Sequence, residues 1–378
     1  MKAASFKKGR AWIELDMGNL RHNIKIIKDL LPEECELMPS VKANAHGHGA
    51  AEICRELNNT GVRAFCVASA VEGAELRKSR VKGDILVFGY THPEHFSLLK
   101  RYRLTQSVVD FEYATKLNSY GKKLKVHVKI DTGMNRLGES SDNTGMIMKI
   151  FDLGNLEVTG VYSHFCAQNS GDKTHTEFSR KQLEKFDRVL QSLAENGYAI
   201  PKKHLQGSYG IFSLPDLKCD CARPGMALYG VHRGPRSESL RPVLSVKARI
   251  SSVKTIHEGD TVSYELAYIA KRETKVAALA IGYADGLPRA LSCGKGRALI
   301  NGRAAPILGN ICMDQCVVDV TGIENVRQGD TCVILGRDGD EEISAYDIAE
   351  QSGTIPNEIL GRLGSRLDRV IIQSAHLH

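Results

Sequence analysis

Residues 36–58 read ELMPSVKANAHGHGAAEICRELN, and this stretch sets the pattern for the first 230 residues. Glu36–Val41 is a short apolar run of strand length. Ala50–Asn58 repeats apolar residues at helical spacing. Between them lies a loop with two glycines. The same unit recurs down the chain. Strand-like runs follow at Ala64–Ala68, Asp84–Gly89, Leu104–Val109, Leu124–Ile130, Val158–Ser163, His204–Gly207 and Met226–Gly230. Helical stretches such as Ala70–Arg77 and Thr176–Asn196 separate them. Eight strands alternating with helices predict a closed parallel (β/α)8 barrel of the TIM type. An open doubly wound sheet would use fewer strands at this length.

After about residue 245 the texture changes to alternating β-rich runs: Val246–Ile256, Val276–Ile281, Arg297–Ile300, Cys316–Val320, Cys332–Leu335 and Arg369–Gln373. Asn301-Gly302 is a two-residue hairpin signal, and Gly259-Asp260 and Gly329-Asp330 mark further turns. Ser344 is placed to cap a short helix over Ala345–Gln351. The expected organisation is an α/β barrel over residues 12–244, followed by a mostly β C-terminal domain over 245–378. The first strand, residues 11–15, is expected to join the β domain.

Composition narrows the function. The 378 residues carry a formal net charge of +7. The basic runs, such as Lys100, Arg101, Arg103 and Lys122, Lys123, Lys125, are not interleaved with aromatics as a single-strand binder requires, so they read as a solvated face and no nucleic-acid partner is expected. The 10 cysteines form no CxxC pair and have no histidine at zinc-ligand spacing, so neither a metal site nor a disulfide framework is expected. The start, MKAASFKKGR, lacks an apolar signal core, and no apolar stretch is long enough to span a membrane.

The chemistry begins at Lys42. A lysine ending the first barrel strand stands where barrel active sites are built. The apolar strand before it desolvates the amine, which favours the neutral nucleophile. Alone, such a lysine reads as a surface residue closing a strand. The string Ser40-Val41-Lys42-Ala43-Asn44-Ala45-His46-Gly47-His48-Gly49, however, resembles the lysine motif of the alanine racemases, which are fold-type III pyridoxal-phosphate enzymes. Further matches follow in order: Lys129–Gly138, Ser163-His164-Phe165, Arg223–Gly230, Val262-Ser263-Tyr264, Ile281–Gly286 and Ile311–Gln315. They cover the chain from about Trp12 to its last strand.

The resemblance implies a role for each matching position. Lys42 would hold pyridoxal 5'-phosphate as a Schiff base and act as one base. Tyr264 would be the acid/base on the opposite face, because racemisation needs a base on each side of a planar carbanion. Arg223 would donate to the pyridine nitrogen, since an arginine does not give up its proton. Arg136 would reach the phenolic oxygen of the cofactor and the substrate carboxylate. Lys129, if carbamylated, would orient Arg136. An ordinary ion pair is the plainer reading there. His164 would lie beside the ring. Ser208, Gly225 and Met226 would cradle the phosphate. Tyr283 and the backbone N–H of Met313 would line the substrate site. In the family Tyr264 and Met313 arrive from a partner subunit, so the resemblance implies a homodimer with shared active sites.

Two positions depart from the family pattern. His46 stands where a tyrosine normally touches the phosphate. Asn357 stands where a tyrosine normally lines the pocket and touches the phosphate. An amide there makes room for a substrate hydroxyl and can pair with it. The expectation is therefore a racemase of serine as well as alanine. It would be similar to the racemase domain of the VanT-type serine racemases of vancomycin-resistant bacteria, which supply D-amino acid to the cell wall. A housekeeping alanine racemase is the alternative. The expected location is cytoplasmic, either as a free enzyme or as the cytoplasmic domain of a membrane-anchored protein, with no membrane contact by this chain. Three rivals fit less well. A decarboxylase of the same fold type would show a glycine-rich run where Gln206-Gly207-Ser208-Tyr209-Gly210 stands. A non-catalytic cofactor carrier would lack the β domain. A degenerate sensor would not need both Lys42 and Tyr264.

Overall fold

The computed structural model describes residues 8–166, 172–200, 202–214 and 217–373. Its chain falls into two compact units. One comprises Arg21–Ala45 and Ala50–Leu240. The other comprises Met1–Leu20, His46–Gly49 and Arg241–His378.

The first unit is a closed parallel barrel. Ala64–Val67, Asp84–Val87, Thr105–Val108, Leu124–Asp131, Leu156–Tyr162 and Lys202–His204 pair in sequence order. Cys221–Ala222 pairs in parallel with Glu36–Leu37, and parallel bridges at Ser40 to Cys66 and Gly207 to Arg223 complete the ring. The seams carry ladder bonds, from Cys66 N–H to Pro39 O and from Arg223 N–H to Gln206 O, both 2.9 Å. Strands buried on both faces read as continuous apolar runs rather than alternating ones, which is why Ala-Phe-Cys-Val at 64–67 is buried throughout. Helices start on caps the sequence supplies. Ser69 accepts from Glu72 N–H, and Asp110 accepts from Tyr113 N–H.

Two strand assignments are corrected. The eighth strand is Cys221–Ala222, not Met226–Gly230, which forms a 3-10 turn over Met226–Tyr229 ended by Gly230 at φ 74°. Pro224 has no N–H to continue the ladder. Ala227, Leu228 and Tyr229 are fully buried, and a short buried run looks the same as strand or helix. The seventh strand is Lys202–His204. Gly207 contributes only an isolated bridge.

The second unit is built on a nine-stranded sheet in the order Glu341–Ile343, Thr331–Asp338, Arg297–Ile300, Arg303–Leu308, Cys316–Asp319, Thr274–Leu279, Leu244–Ile256, Ala11–Asp16, Asp368–Ile372. Thr331–Asp338 also pairs with Leu244–Ile256. Ala11–Asp16 runs antiparallel to Leu244–Ile256 and parallel to Asp368–Ile372. Asn301 and Gly302, at φ 51° and 72°, make the hairpin turn between Arg297–Ile300 and Arg303–Leu308. Ser344 caps the helix Ala345–Ser352 in a reciprocal box with Asp347. No helix among the described residues is long and apolar enough to cross a membrane.

Candidate active site

The C-terminal ends of the barrel strands gather the expected residues of the first unit. Ser40 N–H donates to Pro224 O at 2.8 Å, so the lysine loop and the segment after Arg223 are laced together. Beyond Lys42 the backbone makes a left-handed turn. Ala43, Asn44, Ala45 and His46 all have φ between 51° and 54°. Left-handed geometry costs an L-residue about 1–2 kcal/mol, so local bonds must hold it. Ala43 N–H donates to Glu72 at 2.8 Å, and the Asn44 side chain accepts from Ala50 N–H at 2.8 Å. Lys42 is half-buried, and its amine is held below its ordinary pKa by burial and then by Arg136.

Arg136 rides on a loop organised by one carboxylate. Asp131 Oδ1 accepts from the N–H groups of Gly133, Met134 and Asn135 at 2.9, 3.0 and 3.1 Å. Lys129 is buried at 4% exposure and donates to Leu137 O at 2.6 Å, beside Arg136. Lys129 makes no ion pair among the described residues, and its neighbour Arg136 is itself a cation. Burial, with help from Arg136 and Arg223, pulls the Lys129 amine down to about 8.

Arg223 directly follows the eighth strand and is buried. Its guanidinium donates to His204 Nδ1, to Ser163 O at 2.7 Å and to Leu205 O at 3.2 Å, and lies 5.2 Å above the Tyr162 ring. Its Nε–H has no partner among the described residues. His164 is driven to about 3 by burial and then by Arg223, Arg136, Lys129 and Lys42, so it is neutral at pH 7. Ser208 Oγ accepts from Gly225 N–H at 3.1 Å and Ala227 N–H at 3.4 Å, next to Met226. Lys42, Lys129, Arg136 and Arg223 thus form one cluster of positive charge. The carboxylates that act on Lys42 and Lys129, Glu72 and Asp131, are bonded to backbone amides. Such a cluster, with one arginine N–H left over and a hydroxyl set among backbone amides, fits an anionic ring bearing a phosphate.

The second unit holds the remaining candidates. Tyr264 opens a 3-10 turn between Ser263 and Glu265, both with positive φ, and is 69% exposed. Asn310 fixes that turn by donating to Tyr264 O at 3.1 Å. Tyr283 N–H donates to Cys312 O at 3.0 Å, so Tyr283 and Met313 sit on adjoining segments. Asp285, fully buried between Arg10 and Arg366, accepts from Gly282 N–H and holds the Tyr283 turn. Gly47, next to His46, packs so closely that a Cβ would lie 2.0 Å from Leu360 O. Leu360 shares the helix Pro356–Gly361 with Asn357, which is exposed and has no partner among the described residues.

Sequence reasoning missed the buried support behind Arg223: His204, His127 and Tyr162. His127 and His204 stand on strands it identified. A histidine in an apolar strand was the available signal, and it does not separate a core residue from a working one. Asp285 lies within the matching stretch Ile281–Gly286, where the sequence alone assigns it no role.

The fold and the cationic cluster define a barrel enzyme with an appended β domain. Comparison with known proteins makes the assignment specific. The alanine racemase N-terminal domain matches residues 15–233 and the alanine racemase C-terminal domain matches 243–371. An alanine racemase from Methanococcus maripaludis is 37% identical over 371 residues, 96% of this chain and 98% of that protein. An amino-acid racemase from Enterococcus faecalis is 40% identical over 364 residues, and this chain spans only 51% of its length. Among solved structures, alanine racemase from Clostridium difficile 630 superposes with a TM-score of 0.90 at 33% identity, covering 97% of this chain and 96% of that one. The enzyme from Bartonella henselae, solved with covalently bound pyridoxal phosphate, superposes at 0.83 with 29% identity, covering 96% and 100%. The chain belongs to the alanine racemase family.

Proposed function

We propose that this protein interconverts L- and D-alanine by moving the substrate α-proton between Lys42 and Tyr264, with pyridoxal phosphate as cofactor. Bound at Lys42, the cofactor supplies an electron sink that acidifies the α-carbon. The observation that carries the reading is the cationic cluster of Lys42, Lys129, Arg136 and Arg223, which contains a buried fork with an N–H to spare. Arg223 presents a fixed donor to the pyridine nitrogen and gives it no proton. Ser208, Gly225 and Met226 hold the phosphate, with His46 and His164 beside the cofactor. Arg136 grips the substrate carboxylate and the phenolic oxygen, and the Met313 N–H and Tyr283 complete the substrate site. Carbamylation of Lys129 would turn a repelling cation into an anion that anchors Arg136. Its depressed pKa supplies the neutral amine this requires.

The apolar side chains exposed on the β unit, Tyr264, Leu266, Ile269, Tyr283 and Met313, support a homodimer in which this surface faces the partner's barrel. A second reading, serine racemisation, rests on Asn357. An exposed amide with no partner among the described residues can pair a hydroxyl where a ring would exclude it. Supply of D-serine to the cell wall of vancomycin-resistant bacteria belongs to that reading. Coupled assays of both amino acids decide. Alanine is turned over in either case. If Asn357 accommodates the hydroxyl, Asn357→Tyr lowers the serine-to-alanine ratio of kcat/KM about tenfold or more. An unchanged ratio rejects the serine reading.

A further inference from the structure

The N-terminal mouth of the barrel, the end opposite Lys42, holds a cavity of about 220 Å³ among the described residues. Barrel interiors are normally filled by layers of side chains. Here the wall is mixed: Met38, Ala64, Leu86 and Cys221 are apolar, while Glu36, Asp84, Lys125, Lys202 and His127 carry or can carry charge. Lys202 and Glu36 pair at 2.5 Å and neutralise one another. Lys125 and Asp84 are both exposed on the wall and have no ion-pair partner among the described residues.

His127 is 7% exposed, and hydrogen-bond logic fixes its proton. An arginine only donates, so His204 Nδ1 accepts from Arg223. The neutral His204 ring therefore carries its hydrogen on Nε2, which lies 2.9 Å from His127 Nδ1 and donates to it. His127 must then carry its own hydrogen on Nε2. That N–H has no partner among the described residues, and the ring lines the cavity. Burial and the charge of Arg223 keep both rings neutral.

We propose that this mouth is a second ligand site, taking a small zwitterion of the amino-acid class. Its carboxylate accepts from His127 Nε2–H and faces Lys125, and its ammonium group faces Asp84. The site is wired to the opposite end of the barrel. Whatever holds the His127 N–H also holds His204 against Arg223.

The test uses trimethylglycine, a zwitterion with no amine able to condense with a carbonyl cofactor. The holoenzyme is titrated while the ligand methyl resonance and the ring nitrogens of 15N-labelled histidine are followed. Saturable binding is expected, with the His127 ring nitrogens shifting. Lys125→Ala and Asp84→Asn are each expected to weaken binding tenfold or more while the racemisation rate stays at the parental value, which also certifies that both variants fold. No saturable binding, no shift at His127, or binding indifferent to either substitution overturns the proposal.

Discussion

Lys129 shows how burial, helped by neighbouring cations, sets a property. Its amine falls from 10.5 to about 8 on folding, so between those values the unfolded chain binds the extra proton. Stability therefore rises as pH climbs from about 8 toward 10.5, and below 8 the buried cation is a constant cost. Lys129→Met should flatten denaturation midpoints across that window. A parental pH slope in the variant would show that the amine is not buried as described. None of this was visible in Lys129-Ile130-Asp131, where the alternatives were a carbamate and an ion pair. Whether a lysine has an anionic neighbour depends on contacts between strands, not on spacing along the chain. Lys42 stood out only within the ten-residue string that resembles the family motif, since a lone lysine closing a strand reads as a surface residue. His127 and His204 were not legible, because the bonds that join His127 to His204 and His204 to Arg223 cross between strands far apart in the chain.

The lysine loop is held under backbone tension. Four consecutive non-glycine residues are left-handed, and Gly47 at φ 85° then passes against Leu360 O. Any Cβ at Gly47 collides with backbone, so Gly47→Ala should cost about 2 kcal/mol or more in stability. A urea midpoint within experimental error of the parent would refute that close approach. At this scale the sequence was largely legible. Strand runs, the Asn301-Gly302 hairpin and the Ser344 cap all carry local chemistry. It failed where burial and period diverge. Met226–Tyr229 is as apolar as a strand yet coils. Arg303–Leu308 also pairs on both sides as a strand, although Pro306 within it has no N–H to give to a ladder.

For the whole molecule, the question is where the second base comes from. If Tyr264 acts in the partner's site, a heterodimer of Lys42→Ala and Tyr264→Phe chains has one doubly altered site and one intact site. Random mixing then restores about a quarter of the parental activity from two inactive stocks. If both residues act within one chain, mixing restores nothing. The fold class was legible from the alternation of elements. The shared site was implied only by resemblance, since a surface rich in exposed apolar side chains leaves no periodic mark in the sequence.

The most direct measurement of the two-base account is α-proton exchange in deuterated water with the Tyr264→Phe holoenzyme. Lys42 still serves one face of the substrate, so the account predicts deuterium wash-in for one enantiomer of alanine, almost none for the other, and interconversion reduced about 10²–10⁴-fold. Equal exchange of both enantiomers, or interconversion at the parental rate, would contradict it.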